Sequence, residues 1–142
     1  MAHWLLAAVA VVALVQGTDL SGAYTPRDSP PGGVLTITAK TIGYASGASF
    51  ETVTETSGVA SDSLATGNPN FQLPEIAAED RPAGYMEVRR IVRSRGDVTS
   101  LCGGTRPTHV MLVATAGGVA ISLMRKGMFG TTMCGAAIYR RS

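Results

Sequence analysis

Thr108-His109-Val110-Met111-Leu112-Val113-Ala114-Thr115-Ala116-Gly117-Gly118-Val119-Ala120-Ile121-Ser122-Leu123-Met124 decides the fold class. Two apolar runs flank Ala116-Gly117-Gly118, whose small, permissive residues suit a tight reversal, so the segment reads as a β-hairpin. In the second run Val119, Ile121 and Leu123 alternate with Ala120, Ser122 and Met124, which gives one clearly apolar face. The first run is apolar on both faces, and this places the hairpin centrally in a sheet.

Working outward, residues 133–139 form a closing strand that carries Cys134, after a turn over residues 127–132. Arg140 and Arg141 then end the chain in solvent. Upstream, residues 33–40 have strand composition, with Leu35, Ile37 and Ala39 on one side and Thr36, Thr38 and Lys40 on the other. Pro30-Pro31-Gly32-Gly33 marks the start of this strand. Residues 85–95 fit both a strand and a helical stripe, and their β-branched side chains favour the strand. Residues 43–84, rich in Gly, Ser, Thr and Ala, read largely as loop, with a strand near residues 50–55 and a helical turn near 74–80. The fold class expected is mainly β, a small antiparallel sandwich or barrel, in a single domain over residues 18–142.

The twelve apolar residues from Trp4 to Val15 read as the core of a signal peptide covering residues 1–17, with cleavage after Gly17 or alternatively after Ala23. Only the α-amino group and His3 precede this core. Fourteen residues from Ala2 to Val15 would reach about 21 Å as a helix, short of about 30 Å of hydrocarbon. An accessory subunit that keeps the segment as an anchor is the alternative, and only then is a membrane a partner. Localisation is expected to be periplasmic or secreted. Cys102 and Cys134 are the only cysteines, and in an oxidising compartment they pair as a structural disulfide.

Charge is unevenly divided: residues 18–84 hold three basic and eight acidic side chains, residues 85–142 nine and two. The overall balance of +2 gives no general attraction to polyanions, and an exported chain is not expected to meet nucleic acid. Arg89, Arg93 and Arg95 would share one strand face and present forked donors to carboxylates or phosphates.

Motifs of other chemistries are missing. There is no Gly-x-Ser-x-Gly elbow, no Walker or dinucleotide fingerprint, no Cys-x-x-Cys pair and no Cys/His cluster for zinc, so no catalytic residue, cofactor or metal site is assigned. His109, the only histidine after the leader, has no acidic residue within ten positions. A small secreted hydrolase would require His109 to meet a carboxylate and a hydroxyl in a concave pocket.

The leader, Leu101-Cys102-Gly103-Gly104, the hairpin and Cys134-Gly135-Ala136-Ala137-Ile138-Tyr139 resemble small exported bacterial proteins of unknown function. Ser46-Gly47-Ala48-Ser49-Phe50 is distantly similar to the Ser-Gly-x-x-aromatic segment of periplasmic inhibitors of c-type lysozyme. That resemblance implies a small antiparallel barrel and a loop, here Ser46, Gly47, Ser49 and Phe50, that helps fill the enzyme's acidic cleft. Ser49 stands where that family usually carries a lysine. The sequence thus points to an exported, non-enzymatic binding or envelope-associated domain. Its partner is an unknown protein or an anionic envelope component, with the lysozyme-inhibitor-like and hydrolase readings as alternatives.

Overall fold

The computed structural model describes residues 20–60, 80 and 82–142. The leader, and all of residues 74–80 except Asp80, lie outside them. The described residues form eight antiparallel strands: β1 (Gly22–Pro26), β2 (Leu35–Ile37), β3 (Thr41–Tyr44), β4 (Ser49–Ala60), β5 (Pro82–Arg95), β6 (His109–Thr115), β7 (Gly118–Gly127) and β8 (Gly130–Arg141). Each pairs with its sequence neighbour, and β1 pairs with β8, which closes the sheet into a barrel and leaves no edge.

The hairpin of the opening stretch is β6–β7. Val119, Ile121 and Leu123 point inward and are buried, and Val110 and Leu112 meet them from β6. The reversal is held by the Gly118 amide, which donates to Thr115 Oγ1 at 2.9 Å. A Cβ at Gly118 would lie 2.2 Å from the Tyr139 carbonyl oxygen, so glycine is what lets β8 approach. Leu35, Ile37, Ile42, Phe50, Tyr24 and Tyr139 complete the interior, with Tyr44 set edge-on to Phe50 at 6.2 Å between ring centroids.

Several boundaries differ from expectation. The strand over residues 33–40 ends at Ile37, and Ala39 is exposed in a turn. Thr38 Oγ1 accepts the Thr41 amide at 3.0 Å, and the Thr38 amide donates to the Thr41 carbonyl, a local bond that competes with strand continuation. Residues 43–60 are mostly strand rather than loop. The turn over residues 127–132 shrinks to Met128 and Phe129, and Arg140 and Arg141 belong to β8, where the Arg141 guanidinium sits over the Tyr24 ring at 5.2 Å. Residues 85–95 are strand.

Cys102, at the end of a 3₁₀ turn over Thr99–Cys102, is disulfide-bonded to Cys134 of β8. The bond ties the β5–β6 connection to the barrel wall, and it is compatible with an oxidising compartment. At the other terminus Leu20 is buried and its carbonyl accepts the Tyr24 hydroxyl at 2.7 Å. A chain beginning at Tyr24 would lose Leu20 from the core together with two β1 residues.

Candidate anionic-ligand interface

Two β-bulges in the β4–β5 ladder decide where the charged side chains go. Glu51 is opposite Arg93 and Thr52 opposite Ile91, so Val92 is an extra residue on β5. An inserted residue reverses the in-out alternation beyond it. Arg89 therefore points inward, whereas Arg93 and Arg95 point outward, and the single arginine face expected from simple alternation is split.

Arg89 is buried, at 2% exposure. Its Nη2 donates to Glu87 Oε1 at 3.1 Å, and its Nη1 donates to the Thr38 carbonyl at 2.7 Å and to Thr52 Oγ1 at 3.3 Å. Thr54 Oγ1 donates to Glu87 Oε2 at 3.0 Å. Burial, and then the Glu87 carboxylate, push the Tyr85 phenol above its ordinary pKa. This polar layer belongs to the barrel interior, so Arg89 is a structural residue and not part of an exposed contact face.

Arg93 and Arg95 line an outer groove of about 340 Å³ with Thr36, Thr41, Ser49 and Glu51. The floor is open at Gly43, where no atom lies within 4 Å of a notional Cβ. Arg93 Nη1 is 3.9 Å from Glu51 Oε1, too long for a hydrogen bond, and both side chains are largely exposed. Arg95 makes no ion pair among the described residues, and it stands directly opposite Ser49 in the ladder. The groove therefore offers two guanidinium forks and three hydroxyl groups on one surface.

No protein-family model, curated protein or solved structure matches the chain. What the site can do must therefore be read from its own geometry.

The segment over residues 46–50 divides in the same way. Ser46 and Gly47 are exposed in the turn between β3 and β4, pinned by the Ser46 amide to the Gly32 carbonyl at 3.0 Å, and Ser49 is half-buried. Phe50 is 1% exposed and belongs to the core, so of the four expected loop residues the aromatic one cannot reach a partner.

The second bulge, at Glu55, brings together residues that the sequence left apart. Glu55 Oε1 lies 3.1 Å from His109 Nε2, Oε2 lies 3.5 Å from Arg90 Nε, and Lys126 Nζ is 3.9 Å away. Thr108 Oγ1 is 2.8 Å from His109 Nδ1. A hydroxyl, an imidazole and a carboxylate thus stand in sequence, the set of groups that the hydrolase reading asked for. The hydroxyl, however, accepts the Lys126 amide at 2.9 Å and lies 3.4 Å from the Met124 carbonyl, and His109 is largely covered. The trio acts as a clasp across β4, β6 and β7. Glu55 escaped sequence reasoning because its only link to His109 is through two strand pairings.

Proposed function

We propose that the chain is exported, loses residues 1–17 and works as a non-enzymatic binding module whose Arg93–Arg95 groove engages a carboxylate- or phosphate-bearing partner outside the cytoplasm. The observation that supports this most is that the fold does not use these two guanidinium groups. Arg93 is only loosely paired and Arg95 is unpaired among the described residues, unlike Arg89, whose two Nη atoms are bonded inside the barrel. Charge-assisted, bidentate bonds to carboxylate or phosphate are what such forks make.

Calorimetric titration with tripolyphosphate and with a polyglutamate peptide tests the reading. The Arg93→Ala/Arg95→Ala protein should bind the preferred probe about thirtyfold more weakly, from roughly 1 kcal/mol per lost charged contact at an exposed site. Its melting should stay unchanged, because both side chains are exposed. Equal affinity of the two proteins would sink the proposal.

A second reading is favoured by the register of β4 and β5. Arg95, opposite Ser49, supplies a cation from the neighbouring strand where the lysozyme-inhibitor resemblance puts a lysine on the loop itself. With Ser46 and Gly47 exposed nearby, the partner under this reading is the acidic cleft of a c-type lysozyme. The protein at micromolar concentration should then slow lysis of bacterial cell walls by that enzyme, and Arg95→Ala should relieve the effect. Unaltered lysis would remove the lysozyme.

A further inference from the structure

Between β7 and β8 the chain reverses through Met128 and Phe129 alone, and these side chains are 92% and 99% exposed. Every residue from 125 to 133 is exposed, and Met133 adds a third large apolar side chain at 49%. The tip thus projects beyond the packed barrel. It is also ordered by its chemistry. Gly127 pairs with Gly130, whose φ of +129° is one that side-chain-bearing residues rarely adopt. One arm is anchored by the Lys126 amide on Thr108 Oγ1, the other by the Cys102–Cys134 disulfide at its root.

Cations lie at this end of the barrel. Arg125 and Lys126 lie on one arm, Arg125 without an ion pair among the described residues and Lys126 only 3.9 Å from the shared Glu55. Strand β7 ends where β6 begins, so Arg106, in the loop that leads into β6, lies at the same barrel end, and it forms no ion pair among the described residues. Asp97 in that loop is engaged by Thr99 and Ser100. Between loop and hairpin, Thr105, Arg125, Thr131 and Thr132 line a concavity of about 500 Å³ next to Met128 and Phe129. Hydroxyls and a guanidinium beside an apolar tip match a phosphate beside an acyl chain.

We propose that the Met128–Phe129 tip inserts into the surface of an anionic phospholipid bilayer while Arg125, Thr131 and Thr132 receive a head-group phosphate. A convex tip of two side chains presents far less than the roughly 800 Å² per partner of a standard protein interface. A lipid surface needs only an apolar wedge with cations above it. This contact is independent of the Arg93–Arg95 groove and of the N-terminal segment.

The test is co-sedimentation of the protein as recovered from cells with vesicles of phosphatidylethanolamine and phosphatidylglycerol, against phosphatidylcholine alone. Phe129→Ala should weaken partitioning into anionic vesicles about tenfold, and Met128→Ser/Phe129→Ser about a hundredfold. Arg125→Ala should weaken it about fivefold and flatten its salt dependence. Phe129→Trp should keep binding and show a blue-shifted emission component on anionic vesicles that the wild type lacks, since its one tryptophan, Trp4, leaves with residues 1–17. Arg93→Ala/Arg95→Ala, which disables the groove, should leave partitioning unchanged, so the two proposals fail separately. Equal sedimentation of wild type and the double tip variant would overturn the inference, as would no wild-type binding. Self-association abolished by the tip variant without vesicle binding would assign the tip to a second copy and overturn it too.

Discussion

Arg89→Ala should destabilise the barrel by about 3–5 kcal/mol, the typical loss when one member of a buried ion pair is removed. The Glu87 carboxylate, 7% exposed, would lose its guanidinium partner and keep only uncharged neighbours, the Thr54 hydroxyl and the Tyr85 phenol. The Thr38 carbonyl and Thr52 hydroxyl would lose a donor as well. Glu87→Ala should cost a similar amount by stranding Arg89. The pair replaced together by apolar side chains, Glu87→Leu/Arg89→Met, should recover most of the loss, because desolvation of the charges disappears with them. Urea denaturation of the three proteins checks this. An Arg89→Ala midpoint close to wild type would mean that Arg89 is not held inside the barrel.

Removal of the disulfide is the second large effect. Cys102 and Cys134 are separated by 32 residues, and a loop of that length contributes about 3.7 kcal/mol in the chain-entropy treatment. The Cys102→Ser/Cys134→Ser protein should unfold at correspondingly lower urea, and addition of a reductant should move the wild type to the same midpoint. The loss should be felt first at the β5–β6 connection, where Leu101 and Cys102 pack into the core. Coincident midpoints for oxidised and reduced protein would contradict it.

How far the sequence revealed this molecule depends on the range of the interaction that shapes each part. The β6–β7 hairpin was legible because strict alternation at Val119, Ile121 and Leu123 and a glycine-bearing turn are local signals. The Cys102–Cys134 bond was legible because only one pairing exists. The mainly β, antiparallel class was legible too, but the choice of barrel over sandwich was left open, since the β1–β8 pairing that closes it joins Tyr24 to Arg141 across nearly the whole chain. The arginine face was misjudged for a specific reason. Nothing in Arg89-Arg90-Ile91-Val92-Arg93 marks Val92 as a bulge, yet that one inserted residue turns Arg89 into the core and leaves Arg93 outside. The clasp of Glu55, Thr108 and His109 depends on the other bulge and was equally hidden. Phe50 was misplaced because a motif resemblance carries no in-out register, whereas Ile42 opposite Phe50 shows the pair to be core.

The proposed export, followed by disulfide closure, underlies the class of partner proposed, and one intact mass tests it most directly. Protein recovered from the envelope fraction should begin at Thr18 and weigh two hydrogens less than its reduced form. A species that retains Met1 and carries two free thiols would contradict it.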